Sequence, residues 1–191
     1  MDKAKVGVIH GRFQLLHNDH MKYLLAGKKR CDHLVVGITN PDPSHTRNDP
    51  ADMSRSSMAS NPLTYYERYC MVREALAEQG LHDSISIVPF PINFPDLYQH
   101  YVPLDALFFL TIYDAWGEKK LTLFQELGLN TEILWRKKQT EKGLSATDIR
   151  GKIINNEEWE QFVPPAVVLF VKKHHLAERF FALREVEAID K

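Results

Sequence analysis

The chain has 191 residues, a length that fits one domain and allows a substantial hydrophobic core. Hydrophobic residues make up 44% and charged residues 26%, as in globular enzymes, and the formal net charge of -1 argues against nucleic acid or an anionic membrane as a partner. The two cysteines lack metal-ligand spacing and no apolar run approaches the roughly 20 residues that span a bilayer, so we expect a reduced, cytoplasmic protein.

Strand and helix patterns alternate along the chain up to residue 135, which is typical of a parallel sheet with crossover helices. The predicted strands cover residues 6–10, 33–39, 84–88, 105–110 and 131–135. The predicted helices between them cover residues 18–30, 64–79 and 116–127. Thr64 and Glu67 predict a capping box at the second helix, and Gly80 and Gly128 predict left-handed residues where the second and third helices end.

The end of the chain changes character after the polar loop at residues 136–143, because only helical patterns follow it. These helices are predicted at residues 145–155 and 157–162, with one long helix after Pro164 and Pro165. We therefore expect an α/β fold with a Rossmann-like parallel five-stranded sheet, helices on both faces and a helical C-terminal segment. The predicted organisation is one domain over residues 1–191, with the core at 1–143 and the C-terminal helices at 144–191.

The run from Gly11 to His20 follows a buried strand and opens a helix. Free backbone N–H groups and the positive end of the helix dipole meet at such a point, so anions bind there. His17 and His20 are three residues apart and lie on one side of the first turn, where both imidazoles can donate to the same polyphosphate. Gly11 would let the backbone approach the phosphates closely. The run predicts a nucleoside triphosphate site.

A second predicted anion cradle lies at the start of the helix at residues 145–155. Ser145 and Asp148 form a capping box, which accounts for part of the pattern in structural terms. The Ser145 and Thr147 hydroxyls, the free N–H groups of the first turn and the guanidinium of Arg150 can all reach the same phosphates.

These two segments resemble the H-x-G-H and S/T-x-S/T-x-x-R motifs of the nucleotidyltransferase superfamily. Within it, the chain is most similar to the archaeal-type nicotinamide-nucleotide adenylyltransferases. The similarity extends over nearly the whole chain and is carried by Gly11-Arg12-Phe13-Gln14, Ser44-His45-Thr46, Asn61-Pro62-Leu63-Thr64 with Glu67-Arg68, Pro91-Ile92-Asn93, and Glu158-Trp159 with Val163-Pro164.

The resemblance implies transfer of a nucleotidyl group from a nucleoside triphosphate to a phosphate-bearing acceptor with release of pyrophosphate, ATP and nicotinamide mononucleotide being the default pair. Mg²⁺ would bridge phosphate oxygens, with no residue of the chain predicted as a metal ligand. The family often forms homo-oligomers, so a homo-oligomer is expected. The implied site residues are catalytic His17, His20, Arg12 and Arg150, nucleotide-binding Gly11, Phe13, Gln14, Ser145 and Thr147, and acceptor-binding Arg68, Asn93 and Tyr98, to which the sequence adds Trp116.

The sequence departs from the family pattern at three places. Asp19 replaces the glycine of H-x-G-H, and its carboxylate either suits the helix N-terminus, helps to hold a metal ion or changes how the nucleotide sits. An extra stretch, Arg47 to Ser60, is either a substrate lid or a tolerated surface insertion. Tyr98 stands where the family has the tryptophan that stacks on nicotinamide.

These departures leave two alternatives to the default pair open. Trp116, Lys119 and Lys120 would suit a small, strongly anionic acceptor such as a phosphonate, used with CTP instead of ATP. A non-catalytic nucleotide sensor would follow if Asp19 had weakened the triphosphate site.

Overall fold

The apolar strands of the chain pair into one parallel sheet, as expected for segments that are buried on both faces. The computed structural model describes residues 3–45 and 60–189, and within these ranges the sheet has five strands in the order β3-β2-β1-β4-β5. The strands are β1 (Ala4–Gly11), β2 (Cys31–Thr39), β3 (Ile85–Phe90), β4 (Leu107–Ile112) and β5 (Asn130–Arg136). The helices are α1 (Asn18–Lys28), α2 (Tyr65–Ala77), α3 (Ala115–Glu126), α4 (Ala146–Ile154), α5 (Pro165–Lys173) and α6 (Leu176–Ile189).

Helices cover both faces of the sheet, which confirms the predicted α/β architecture. Ile9 of β1 packs in one core cluster with residues of α1, α2, α4 and α5. The neighbouring Val8 points to the other face, into a cluster with Phe108 of β4 and Phe124 of α3. This alternation along β1 follows from the two-residue period of a strand.

The predicted helix ends are confirmed at the positions where a cap was recognised. Thr64 accepts a hydrogen bond from the Glu67 backbone while the Glu67 side chain accepts one from the Thr64 backbone, and Ser145 and Asp148 form the same arrangement. Gly80 and Gly128 both have φ of +69° and end α2 and α3.

The C-terminal helices differ from the prediction. Residues 157–162 form no α-helix, and a single 3₁₀ turn covers 160–162. The long helix predicted after Pro165 is two helices, because His175 takes a left-handed conformation with φ of +50° between α5 and α6. A left-handed residue ends a helix and redirects the chain. Most of the predicted insertion, Arg47 to Ser60, lies outside the described residues, and no helix in the described ranges is long and apolar enough to cross a membrane.

The loop between β1 and α1 has a strained backbone. Phe13 and Leu15 have φ of +50° and +140°, and such positive values are sterically disfavoured for residues other than glycine. Three buried polar side chains tie this loop to the rest of the chain. Arg150 donates from Nη1 to the Gln14 carbonyl oxygen at 2.6 Å, and the Gln14 side chain is hydrogen-bonded to both the N–H and the C=O of Leu63.

Arg68 is the third of these side chains, and it is 1% exposed. Its guanidinium donates to the carbonyl oxygens of Arg12 at 2.9 Å, Thr39 at 2.7 Å and Asn40 at 2.7 Å. The ends of β1 and β2 are therefore tied together by one side chain of α2, which places the site described below.

We expect Arg68→Met to lower the free energy of unfolding by roughly 3 kcal/mol, because it leaves several buried carbonyl oxygens without a donor. Urea unfolding measures this loss. The matched control is Arg73→Met on the same helix, where the side chain is half exposed beside Glu74 and the expected change is within about 0.5 kcal/mol. Equal stability of the two variants would contradict the role given to Arg68.

Candidate active site

A cavity of about 220 Å³ opens at the carboxyl ends of β1 and β4. These two neighbouring strands lie where the strand order reverses, since β1 connects to β2 on one side and β4 to β5 on the other. In open α/β sheets, ligands bind at such a switch point. The cavity is lined by His10, Gly11, Arg12, Phe13, Gln14, His17, Asp19, His20, Tyr23, Thr111, Tyr113, Asp114, Trp116, Gly117, Lys120, Trp135, Lys142, Leu144, Ser145, Ala146, Thr147 and Arg150.

Two histidines form the wall at the start of α1. His17 is the N-cap residue of α1 and His20 lies in its first turn, and their rings stack with centroids 3.7 Å apart. Burial lowers the pKa of His17 to about 4 and that of His20 well below its usual value. Both imidazoles are therefore neutral at neutral pH, and each carries a single N–H.

The facing wall is the start of α4. Ser145 is its N-cap residue, and the hydroxyl of Ser145 donates to Asp148 at 2.7 Å. Arg150 donates from Nη2 to the Thr147 hydroxyl oxygen at 3.2 Å and is 6% exposed. The cavity thus lies between two helix N-termini, each of which favours negative charge.

Positive charge predominates around the cavity. Among the side chains that line it, the cations are Arg12, Lys120, Lys142 and Arg150, whereas the carboxylates are Asp19 and Asp114. Asp114 is used as the N-cap of α3, where it accepts from Gly117 at 2.9 Å. This balance suits a polyanionic ligand.

Asp19, which replaces the family's glycine, is held at the edge of the cavity. Its carboxylate accepts from Lys22 at 2.7 Å and packs against the backbone of Gly143, in the loop before α4. A methyl group at Gly143 would overlap the Asp19 carboxylate. The Asp19 carboxylate therefore lies against this loop, in space that is open because Gly143 has no side chain.

The structure brings most of the predicted site residues to this one cavity. Those that line it are Gly11, Arg12, Phe13, Gln14, His17, His20, Trp116, Ser145, Thr147 and Arg150. Two of them turn their side chains into the protein, since Phe13 is 1% exposed within the core and Gln14 bonds Leu63 as described above.

The other predicted acceptor residues lie outside the cavity. Tyr98 is 2% exposed, packs 4.6 Å from the ring of Phe90 in the second core cluster, and donates its hydroxyl to the Ile92 carbonyl oxygen at 2.7 Å. Its ring therefore belongs to the core and has no face for a nicotinamide. Asn93 donates to the His45 carbonyl oxygen at 3.0 Å, so its amide supports a loop.

Arg68 also differs from its predicted role. The resemblance implied that it binds the acceptor, but its guanidinium is buried and bonded to backbone carbonyl groups. It acts on the site indirectly, by holding the β1–α1 loop.

Several cavity residues were absent from the predicted set. The Trp135 Nε1 donates to the Tyr113 hydroxyl oxygen at 2.6 Å, and the pair forms an aromatic wall near Lys142. Lys120 and His10 also line the cavity. The sequence signal for His10 and Trp135 is their place near the carboxyl end of a parallel strand, where ligand-binding residues gather.

The described residues include no group of three or more His, Cys, Asp or Glu side chains that could hold a metal ion by itself. A hard cation such as Mg²⁺ commonly takes one or two carboxylates and completes its shell with substrate phosphates and water. Asp19 is the carboxylate at the cavity that fits such a shared arrangement.

Comparison with known proteins agrees with this geometry. Residues 8–152 match the family model for cytidylyltransferase-like proteins. A phosphonoformate cytidylyltransferase from Streptomyces viridochromogenes is 51% identical over 180 residues, covering 94% of this chain and 97% of the relative. A nicotinamide-nucleotide adenylyltransferase from Thermococcus onnurineus is 32% identical over 176 residues, covering 92% and 86%.

Among solved structures, a bifunctional NMN adenylyltransferase/ADP ribose pyrophosphatase from Francisella tularensis has the same fold, with a TM-score of 0.64 at 15% identity. The match covers 94% of this chain and 52% of that one, so the chain spans about half of the bifunctional protein. The family model and these full-length relatives show that the chain is a nucleotidyltransferase. The chain belongs to the cytidylyltransferase-like family.

We expect stability to fall as the pH is lowered, because the folded protein keeps His17 neutral down to about pH 4 whereas the unfolded chain takes up a proton near its usual pKa of 6.5. The stabilisation is complete above pH 6.5 and is lost progressively toward pH 4. His17→Gln should reduce this loss, measured as the change in urea midpoint between about pH 7 and about pH 5. His100→Gln, an exposed control, should keep the wild-type slope, and an unchanged slope in His17→Gln would contradict the assignment.

The contact between Asp19 and Gly143 makes a second prediction. Gly143→Ala should destabilise the protein by about 1 kcal/mol, because the new methyl group displaces the carboxylate or the loop. Asp19→Gly in the same chain should remove most of that cost, so the two changes should be non-additive in a double-mutant cycle of unfolding free energies. Additive effects would show that the two residues do not interact in this way.

Proposed function

We propose that the protein transfers the cytidylyl group of CTP to phosphonoformate or a closely similar small phosphonate, with release of pyrophosphate. The Streptomyces relative that carries this activity in its name matches nearly the whole chain. The observation that carries the proposal is the charge of the site. Arg12, Lys120, Lys142 and Arg150 line the cavity against the carboxylates of Asp19 and Asp114, and this balance suits a triphosphate together with a small, strongly anionic acceptor.

The burial of Tyr98 supports the same choice. Nicotinamide recognition needs a flat apolar surface, and the residue predicted to provide it lies inside the core. Lys120 and Arg12 line the cavity and are suited to the charges of a small phosphonate.

The triphosphate is proposed to lie between the two helix N-termini. The neutral ring of His17, stacked on His20, would donate to its oxygens from one side, and the Thr147 hydroxyl, Lys142 and Arg150 from the other. The Tyr113–Trp135 pair would then support the cytosine base, because flat aromatic rings stack on nucleobases.

The reaction needs no covalent intermediate with the protein. A phosphonate oxygen of the acceptor attacks the α-phosphorus, the new P–O–P bond forms, and the bond from the α-phosphorus to the bridging oxygen breaks as pyrophosphate leaves with the electron pair. The side chains act by holding the two substrates in line and by donating to oxygens on which charge develops. Mg²⁺, when bound by phosphate oxygens and Asp19, would offset the negative charge of the leaving pyrophosphate.

A second candidate is adenylyl transfer from ATP to nicotinamide mononucleotide. It is favoured by the Thermococcus relative and by Trp116, an indole at the cavity wall that could stack on a pyridine ring.

Pyrophosphate release distinguishes the two reactions. With CTP and phosphonoformate we expect a kcat/KM at least about 100-fold above that with ATP and nicotinamide mononucleotide, and the activity should disappear when the divalent cation is chelated. His17→Ala should lower kcat by roughly 100-fold or more, because a donor to the reacting phosphates is lost, whereas His100→Ala, remote and exposed, should keep full activity. Preference for the nicotinamide pair would overturn the proposal in favour of the second candidate.

A further inference from the structure

His10 is a buried histidine without hydrogen-bond partners at the base of the cavity. It lies near the end of β1, is 5% exposed, and its ring packs 5.5 Å from Phe90 and 5.4 Å from Phe124. Neither ring nitrogen has a hydrogen-bond partner among the described residues, and both are buried. Such a group costs roughly 1–3 kcal/mol, so it calls for a physical explanation.

Packing alone does not explain this residue. An apolar ring would fill the space between Phe90 and Phe124 without an unpaired donor and acceptor. The ring lines the cavity, however, and a ligand there would give its N–H an acceptor. The cost in the empty site is therefore the kind that ligand binding removes.

The surroundings of His10 indicate which chemistry it would bind. Burial and the nearby positive charge of Lys120 lower the pKa of His10 well below its usual value, so the ring is neutral and has one N–H to donate. Lys120 lies on α3 and lines the same cavity. A neutral donor beside a cation suits an anionic oxygen, which takes the hydrogen bond from one and charge compensation from the other.

His10 and Lys120 belong to other elements than the groups that would hold the triphosphate. Those groups belong to the start of α1 and of α4, whereas His10 belongs to β1 and Lys120 to α3. The end of the cavity at β1, β4 and α3 is thus available to the acceptor.

We propose that His10 and Lys120 form a subsite for the carboxylate of the phosphonate acceptor, and that His10 determines specificity for acceptors carrying this second acidic group. The proposal rests on the function proposed above. His10 donates to a carboxylate oxygen, Lys120 compensates its charge, and the phosphonate is directed toward the α-phosphorus. A phosphonate without the carboxylate gains nothing from either residue.

The test compares phosphonoformate with methylphosphonate, which lacks the carboxylate, in His10→Phe and wild-type protein. His10→Phe should raise the KM for phosphonoformate about tenfold or more, and leave the KM for CTP and the slow turnover of methylphosphonate unchanged. His10→Asn, which keeps a neutral donor, should recover part of the loss and also covers the case in which His10→Phe does not fold. His82→Phe, on an exposed turn, is the matched control and should match wild type.

A binding measurement separates the subsite from the reaction. In isotope-labelled protein, the NMR signals of the His10 ring, identified by their loss in His10→Phe, should shift when phosphonoformate is added and stay in place with methylphosphonate.

Phosphonoformate binding that shifts the His10 signals without any pyrophosphate release would refute the proposed reaction and leave the subsite standing. Pyrophosphate release with an unshifted His10 and an unchanged KM in His10→Phe would refute the subsite alone. Equal losses for both acceptors and for CTP would also overturn it, because they indicate a general packing defect.

Discussion

The site depends on holding a strained loop between β1 and α1. Phe13 and Leu15 have positive φ, a conformation that persists only when surrounding contacts enforce it. Arg68 and Arg150 supply those contacts by donating to the Arg12 and Gln14 carbonyl oxygens. The guanidinium of Arg68 is thereby bonded wholly to backbone, and that of Arg150 is bonded to backbone in part. The loop in turn positions the start of α1, so the direction of the anion-binding donors follows from these bonds.

This constraint also shapes the electrostatics of the cavity. Arg68 is enclosed and cannot reach a ligand, and the positive charge at the cavity comes from Arg12, Lys120 and Lys142 together with the partly engaged Arg150. The stacked histidines stay neutral because they are buried. A neutral imidazole carries one directed N–H, and the lysines and Arg12 contribute charge. Neutral donors that orient a ligand and cations that offset its charge suit phosphoryl transfer, where positioning and charge stabilisation supply most of the catalysis.

The sequence predicted those parts of the fold that depend on local pattern. Strand and helix alternation, two capping boxes and the glycines at 80 and 128 were all recognisable, because their physical causes lie within a few residues. The break between α5 and α6 at His175 could not be recognised, since a left-handed histidine has no strong local signal in the sequence. Tyr98 was misplaced for a different reason. Alignment with a family position says which residue stands there, while the direction of its ring depends on packing against β3 and α3.

By itself, the sequence determined the class of fold, because strand and helix patterns have local causes, and its resemblance to the nucleotidyltransferases indicated the kind of reaction, which the comparisons confirm. Only the tertiary structure decided how the individual side chains are used. Arg150 and its acceptor Gln14 are 136 residues apart, and the bond between them exists only once the sheet and α4 have assembled. The same holds for Arg68 against the strand ends and for His10 between two phenylalanines, since burial and hydrogen bonding are set by neighbours distant in the chain.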